Sequence, residues 1–378
     1  MTTKNHLRIL LVACLLLATL SLSAQEHKTL REWGFPTGIF ETGKYNAITD
    51  VPGVTVGHVT CIEDDDIRTG VTAIVPHQGN IFRNKVPAAI YVCNGFGKLA
   101  GVTQVRELGN IETPIILTNT LSVAAGIEGL IRYTLMQPGC ENERSVNAVV
   151  GETNDGRLNA IRKMYITPEM VIDAISTAHS GPVEQGNVGA GTGTICFGFK
   201  GGIGTSSRKL PESLGGYTIG VLVQTNYGGI LEIDGVRVGQ KLHKHDFIDH
   251  VRRTENVDGS CMMVVITDAP LDSRNLERVA KRAMMGMAKT GGIASNGSGD
   301  YVIALSVAPE NLIDDKAKTL TTTVLANSQM SPIFAATIEA TAEALWNSLF
   351  MADSMTGRDG NHVDALPVQQ VLEMLRNR

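Results

Sequence analysis

A strand–helix–strand unit late in the chain constrains the fold more than any other feature of the sequence. Residues 261–267 and 301–307 are apolar runs of strand length, and apolar side chains between them recur at the i, i+3, i+4, i+7 spacing of an amphipathic helix. Those helix positions are Leu276, Val279, Ala280, Ala283, Met284 and Met287. Asp272 or Ser273 supplies the N-cap. The unit predicts an α/β protein whose two strands lie close together in one sheet.

Further apolar runs and helical patterns alternate through the rest of the chain. The predicted strands are residues 71–75, 88–93, 193–199 and 217–224. Helices are predicted at 122–135 and 168–178, and Ser331-Pro332 is predicted to open a last helix that runs towards Met351. Because no low-complexity linker or repeat divides this series, it predicts one layered α/β sandwich.

The first 24 residues have the three-part pattern of a secretory signal peptide. Lys4 and Arg8 give a basic start, residues 9–22 form an apolar run, and small residues lead up to Ala24. The run is shorter than the roughly 20 residues that span a bilayer. It also continues well past Cys14, which argues against a lipoprotein cleavage site there. We therefore expect cleavage after Ala24 and an exported protein, periplasmic or secreted. The remaining residues, 25–378, are expected to form a single domain.

Charge and cysteine usage narrow the classes of partner. The chain of 378 residues carries a net charge of −5, which gives no general attraction to nucleic acid or to an anionic membrane surface. Five of its six cysteines follow the signal peptide, an odd number without C-x-x-C spacing. This argues against a disulfide framework and against a thiolate zinc site. We expect most of these cysteines to be buried, and the substrates to be small molecules or peptides.

Three polar segments at predicted strand ends carry the candidate chemistry. They are Asp-Gly-Ser at 258–260, Asn-Gly-Ser-Gly-Asp at 296–300 and Gln-Thr-Asn-Tyr-Gly-Gly at 224–229. Because the returning strand of a strand–helix–strand unit can lie beside the first, Ser298 and Asp300 are expected to approach Ser260. The amide of Asn226 is a suitable oxyanion donor. The three strand ends thus offer a nucleophile, a hydroxyl with a carboxylate, and an oxyanion donor.

Nine motifs in order resemble one known family. The chain resembles the L-aminopeptidase/D-esterase family of the DmpA type, which includes β-peptidyl aminopeptidases and whose members are self-cleaving hydrolases. The motifs are Asn-Ala-Ile-Thr-Asp-Val-Pro-Gly-Val at 46–54 with Gly-His at 57–58, Asn-Gly-Phe-Gly-Lys at 94–98, Thr-Pro-Ile-Ile-Leu-Thr-Asn-Thr at 113–120, Gly-Glu-Thr-Asn-Asp-Gly at 151–156, Gly-Asn-Val-Gly-Ala-Gly-Thr-Gly at 186–193, Lys-Gly-Gly-Ile-Gly-Thr at 200–205, Asp-Gly-Ser at 258–260, Thr-Asp-Ala-Pro at 267–270 and Asn-Gly-Ser-Gly-Asp at 296–300. The resemblance spans residues 46–352.

The resemblance implies a four-layer αββα sandwich, like that of the DmpA-type enzymes and ornithine acetyltransferases, that cuts itself between Gly259 and Ser260. The products would be residues 25–259 and 260–378. Ser260 would become both nucleophile and new N-terminus, and its α-amine would accept the hydroxyl proton without any cofactor or metal.

The family's other functional positions fall on the strand-end residues named above. Ser298 and Asp300 would activate the nucleophile and relay its proton, and Asn226 would donate to the oxyanion. Relatives often carry Glu where this chain has Asp300, so its carboxylate is one methylene shorter.

Substrate recognition is expected in the segment 151–156. A carboxylate at Glu152 would bind the free ammonium that an aminopeptidase must recognise; the alternative is a helix-capping or surface acid. Asn154 is a second candidate for the pocket, although it and Arg157 are polar where relatives have an aromatic residue nearby. The resemblance thus implies an aminopeptidase or amidase acting on short peptides, amides or esters. It also implies a homo-oligomer, such as a tetramer of processed heterodimers.

Other functions are compatible with parts of the sequence. The alternatives are β-peptidyl specificity and an unprocessed, non-catalytic exported binding protein of the same fold. An ornithine-acetyltransferase-like acyl transferase ranks lower because those relatives use threonine where this chain has Ser260. Metal-like residues occur at His243, His245, Asp246, Asp249 and His250, but their place just before the expected cleavage site favours a solvated segment. The chain has neither a dinucleotide fingerprint nor a G-x-S-x-G nucleophile elbow.

Overall fold

Strands and helices alternate along the chain in the computed structural model, which describes residues 27–248 and 259–378. The expected signal peptide and Asp258 lie outside those residues. The strands are β1 (Thr55–Glu63), β2 (Ile67–Val75), β3 (Asn84–Gly95), β4 (Asn110–Ile111), β5 (Ile115–Asn119), β6 (Val149–Thr153), β7 (Ile195–Cys196), β8 (Phe199–Lys200), β9 (Ile203–Lys209), β10 (Thr218–Asn226), β11 (Ser260–Thr267), β12 (Gly299–Ser306), β13 (Ile313–Asp314), β14 (Met355–Thr356) and β15 (His362–Val363). The helices are α1 (Val102–Leu108), α2 (Val123–Leu135), α3 (Pro168–Ser176), α4 (Val238–Lys241), α5 (Ser273–Lys289), α6 (Met330–Phe350) and α7 (Val368–Arg376).

Two sheets form the centre of the fold. The larger has the strand order β13-β3-β12-β11-β10-β9, with β4 paired to β3, and the smaller has the order β1-β2-β5-β6. Strands β11 and β12 are adjacent and parallel, and α5, capped by the Asp272 side chain, connects them. The predicted strand–helix–strand unit is therefore present.

Alternating side chains of β11 show why the two sheets stack. Cys261, Met263 and Val265 join the cluster formed with α5 and α6, whereas Met262, Val264 and Ile266 join the cluster formed with the smaller sheet. A strand covered on both faces needs an apolar residue at every position, which is the run seen in the sequence. Helices α5 and α6 pack on the outer face of the larger sheet, and α2 and α3 on that of the smaller. The layers follow the order helix, sheet, sheet, helix.

The prediction of a strand at residues 193–199 is wrong. That segment holds only the short hairpin of β7 and β8, whose turn places Phe197 at a φ of 52° and Gly198 at 75°. The strand on this side of the larger sheet is β9 instead. Its residues 205–208 are Thr, Ser, Ser and Arg, all fully buried. A buried polar strand lacks the apolar pattern from which strands are predicted.

Helix α6 begins at Met330, two residues before the proline that was predicted to be its first residue. A 3-10 turn, Asn327–Gln329, runs directly into the helix at Met330, and its N-cap Gln329 makes no side-chain capping bond. Pro332 is therefore the third helical residue, which the helix accepts because amide groups of the first turn have no partner within it.

Among the described residues, no helix combines the length and apolarity needed to cross a membrane. Four of the five described cysteines are buried, as expected for most of them, and Cys93 is exposed.

A buried ion cluster fastens the N-terminal segment to β9 and α6. The carboxylate of Glu343 on α6 is fully buried and accepts from Arg208 at 2.7 Å and from Arg31 at 2.9 Å. The Thr37 hydroxyl and the Asn46 amide donate to it as well, at 2.8 and 2.6 Å. Burial alone would raise the pKa of Glu343, but the hydrogen bond from Arg31 and the charges of Arg208 and Arg31 outweigh burial and lower this pKa to about 2.

Replacing Glu343 by alanine should lower the free energy of unfolding by about 3–5 kcal/mol, because the buried Arg208 would keep only Glu339 as a counter-charge and Arg31 would lose its buried partner. Urea unfolding followed by circular dichroism measures this loss. Since the folded-state pKa is depressed, the contribution is present above pH about 4.5 and is lost as the pH falls through about 2. Glu277→Ala is the control: its i,i+4 pair with Lys281 is half-exposed and should be worth less than about 1 kcal/mol. Equal losses for the two variants would contradict the prediction.

Candidate active site

The bond between Gly259 and Ser260 lies at the start of β11, where a hydroxyl and an amide meet its carbonyl. Ser260 is 5% exposed, and its Oγ donates to the Gly259 carbonyl oxygen at 2.6 Å. The backbone N–H of Gly299 donates to the same oxygen at 3.1 Å. The candidate nucleophile therefore contacts a carbonyl group whose oxygen also accepts a hydrogen bond from a backbone N–H.

Ser298 and Asp300 are brought to the same place by the register of the parallel strands. Ser260 pairs with Gly299 and Cys261 with Asp300, so Ser298 stands next to Gly259. The Ser298 hydroxyl donates to Asp300 Oδ1 at 2.8 Å. A Cβ on Gly259 would lie 3.1 Å from Ser298 Oγ, so the absence of a side chain at 259 lets that hydroxyl pack against the backbone at Gly259. The sequence-predicted pair thus adjoins the nucleophile.

The carboxyl group of Asp300 is buried, and no positive charge offsets its burial. Its Oδ2 has no hydrogen-bond partner in the described part of the chain. Burial raises the pKa of Asp300 to about 6, against the opposing hydrogen bonds from Ser298 and the Cys261 backbone. A group with this pKa accepts and returns a proton readily near neutral pH.

Asn226 is the last residue of β10 and pairs directly with Ser260 across the sheet. Its side-chain oxygen accepts the backbone N–H of Ile195 at 3.0 Å. Because that bond fixes which end of the amide is the oxygen, the NH₂ end is the one left to donate. The sequence-predicted oxyanion donor is therefore adjacent to the nucleophile, with its amide held in one orientation.

Glu152 lies inside β6 and is 2% exposed, so it is neither a helix cap nor a surface acid. Its Oε1 accepts the backbone N–H of Lys98 at 2.9 Å, and its Oε2 accepts the hydroxyl of Thr120. The pKa of Tyr301 is raised by burial and by the charges of Glu152 and Asp300. This ring is thus within electrostatic reach of both carboxylates.

Asn154 and the histidine-rich segment are not joined to this arrangement. Asn154 is exposed after β6, and its side-chain oxygen accepts the N–H of Gly156 at 2.9 Å. His245 uses Nδ1 on the backbone oxygen of Asp246, and Asp249 and His250 lie outside the described residues. Across residues 27–248 and 259–378, no group of three or more His, Cys, Asp or Glu side chains is arranged to hold a metal ion.

Two groups of the site had no role assigned from the sequence. The amide of Asn94 donates to the backbone oxygens of Ser295 at 3.0 Å, Asn296 at 3.2 Å and Ser298, so it holds the turn that carries Ser298. The signal used for Asn226 was an amide side chain at a strand end with glycines close after it, and the same signal would have found Asn94. The N–H of Gly299 is a backbone group, so only the strand register reveals it.

Known proteins match nearly the whole chain. A model of Peptidase family S58 matches residues 46–363. The chain is 37% identical to the beta-peptidyl aminopeptidase BapA of Sphingosinicella microcystinivorans, over 97% of this chain and 96% of that protein. Its fold matches the PH0078 protein from Pyrococcus horikoshii OT3 with a TM-score of 0.85 and 45% identity, over 93% of this chain and 99% of that one.

A further solved structure carries the comparison to the chemistry. The L-aminopeptidase D-Ala-esterase/amidase from Ochrobactrum anthropi, described as a prototype of the serine aminopeptidases and a variant of the Ntn hydrolase fold, matches with a TM-score of 0.83 and 34% identity, over 92% of this chain and 98% of that one. These matches confirm the αββα fold and the family resemblance. The chain belongs to Peptidase family S58, the DmpA-type family, and is a serine aminopeptidase.

Proposed function

We propose that this aminopeptidase is exported, cuts itself between Gly259 and Ser260, and then uses Ser260 as an N-terminal nucleophile on short peptides, amides or esters. The observation that carries the proposal is the contact of 2.6 Å between Ser260 Oγ and the Gly259 carbonyl oxygen, which the Gly299 N–H also binds. The pattern of residues 1–24 supports export.

Self-cleavage proceeds as an acyl shift followed by hydrolysis. Ser260 Oγ attacks the Gly259 carbonyl carbon, and the Gly299 N–H stabilises the resulting oxyanion. The hydroxyl proton passes through Ser298 and Asp300 to the Ser260 nitrogen as the C–N bond breaks, which leaves an ester. Water then cleaves the ester: Gly259 gains a carboxylate, and Ser260 keeps its hydroxyl and a free amine.

Substrate hydrolysis reuses the same serine. An α-amine has a pKa of roughly 7.7–8.0, so the neutral amine of Ser260 accepts the hydroxyl proton as Oγ attacks the substrate carbonyl. The NH₂ group of Asn226 donates to the oxyanion. The proton leaves with the departing amine or alcohol, and water releases the acyl group from Ser260.

Glu152 supplies the aminopeptidase specificity in this proposal. Its carboxylate accepts one hydrogen bond on each oxygen, and each oxygen can accept a second, from a substrate ammonium. β-Aminoacyl specificity is the second candidate, favoured by the similarity to a beta-peptidyl aminopeptidase over nearly the whole chain. Assembly into a homo-oligomer stays a prediction.

Purified wild-type protein should give two chains on a denaturing gel, with N-terminal sequences that start at Gln25 and Ser260. Ser260→Ala should give one uncut chain and lower the hydrolysis of aminoacyl p-nitroanilides by roughly 10⁴-fold or more. Ser176→Ala, an exposed serine of α3, is the matched control and should be cut and active. A cut Ser260→Ala chain, or an uncut wild type with full activity, would contradict the mechanism.

Processing should slow as the pH falls below about 6, the value to which burial raises the pKa of Asp300. Only the carboxylate accepts the proton from Ser298, so the rate should drop about tenfold per pH unit below that value and level off above it. Chain made by cell-free synthesis and sampled on denaturing gels between pH 4.5 and 8 gives the profile. The Asp300→Asn chain should be cut slowly, and its rate should not fall as the pH drops below about 6. A wild-type rate that stays constant through pH 6 would exclude Asp300 from the relay.

Glu152→Gln should raise KM for a free-amine substrate by about 10–100-fold, because it removes the charge that pairs with the ammonium and keeps the shape of the side chain. Processing at Gly259 involves no ammonium and should continue at the wild-type rate. Glu277→Gln on the exposed face of α5 serves as the control for loss of one negative charge. If KM is unchanged in Glu152→Gln, the ammonium is bound elsewhere.

A further inference from the structure

Residues 94–98, which we call the bridging segment, contact both halves of the active site. At one end the Asn94 amide and the Phe96 N–H, the latter at 3.2 Å, both donate to the backbone oxygen of Ser298. At the other end the Lys98 N–H donates to Glu152 Oε1 at 2.9 Å. The segment therefore links the serine beside the nucleophile to the carboxylate that is proposed to bind the substrate ammonium.

Gly97 is the point at which the bridging segment packs on that carboxylate. A Cβ at this position would lie 2.9 Å from Glu152 Oε1 and 3.0 Å from the Tyr301 hydroxyl oxygen, closer than a carbon and an oxygen pack. Its φ lies outside the left-handed region, so space alone, and not backbone conformation, excludes a side chain. The glycine lets the segment close until the Lys98 N–H reaches Glu152.

The other side of the bridging segment is closely packed and hydrogen-bonded. The carbonyl oxygen of Phe96 lies against Gly299, where a Cβ would stand 2.9 Å from it, and the Phe96 N–H is bonded to Ser298. Glu152 Oε1, by contrast, is the far end of a flexible side chain. A methyl group at position 97 would therefore press on the Glu152 carboxylate and the Tyr301 ring. It would displace the carboxylate away from the bridging segment, whose other end is bonded to Ser298 beside the candidate nucleophile.

We propose that Gly97 is a positioning residue that sets the distance between the Glu152 carboxylate and Ser260, and thereby the preference between α- and β-aminoacyl substrates. The inference rests on the proposed function, in which Glu152 binds the ammonium. A β-aminoacyl group has one more carbon between its amine and its carbonyl, so it spans a longer distance. Short packing at Gly97 keeps the carboxylate close enough for the shorter α-aminoacyl group as well.

Gly97→Ala tests this against Gly95→Ala. The two glycines belong to the same segment, but a Cβ at Gly95 would meet only the Val92 side chain, at an ordinary 3.5 Å. With L-alanyl and β-alanyl p-nitroanilides, Gly97→Ala should raise the ratio of kcat/KM for β over α by roughly fivefold or more, mainly through KM for the α substrate. Gly95→Ala should leave the ratio at the wild-type value.

Processing at Gly259 provides the internal reference. It uses Ser260, Ser298 and Asp300 but not Glu152, so a Gly97→Ala chain that is cut at the wild-type rate has an intact nucleophile. General damage to the fold would slow processing and both substrates together. A cut Gly97→Ala enzyme with an unchanged or lowered ratio overturns the inference.

A second variant changes the contact at the other oxygen of the Glu152 carboxylate. It tests the same inference if Gly97→Ala does not fold. Thr120→Val removes the hydroxyl on Glu152 Oε2 and leaves the Lys98 N–H as anchor, so the carboxylate should move towards the bridging segment and the ratio should fall. An unchanged or raised ratio in a processed Thr120→Val enzyme overturns the inference. A wild type that is neither cut nor active overturns the proposed function itself, whereas a cut and active wild type with insensitive ratios overturns only the role of Gly97.

Discussion

The parallel pairing of β11 with β12 determines the geometry of the active site. Its backbone hydrogen bonds place Ser260 opposite Gly299, and from that register follow the position of Ser298 beside Gly259 and the approach of the Gly299 N–H to the Gly259 carbonyl. Apolar side chains on both faces of the two strands hold this register, since a shift by one residue would reverse every side chain between the two cores. The core and the catalytic arrangement are thus consequences of the same strand pair.

The pKa values of two buried carboxyl groups, Glu343 and Asp300, are shifted in opposite directions. Glu343 has two arginines around it, and its pKa is lowered to about 2 although burial opposes this. Asp300 has a hydroxyl and a backbone amide but no cation, so burial prevails and raises its pKa to about 6. The first carboxylate stays charged and fastens three parts of the chain together. The second exchanges a proton near neutral pH, which a structural ion pair does not do.

Much of the site follows from the sequence because its groups lie at strand ends marked by glycine. Ser260, Ser298, Asp300 and Asn226 were found in that way, and the structure brings all four together. What escaped prediction depends on tertiary contacts. The polar strand β9 is buried because Asn46 and Asp50 bind its Ser207 from a distant part of the chain, and Asn154, although it neighbours Glu152, turns to its own loop.

The order of strands in the larger sheet has a consequence for the proposed cut. β11 and β12 stand between β10 on one side and β3 on the other, so a break after Gly259 gives a second polypeptide whose first strand is the middle of a sheet completed by the first polypeptide. The smaller sheet would lie wholly in the first product, but the larger sheet and both hydrophobic clusters would be built from the two products together. The two would remain together as an obligate pair and unfold cooperatively, and the break would turn the amide nitrogen of Ser260 into a free amine without releasing either half.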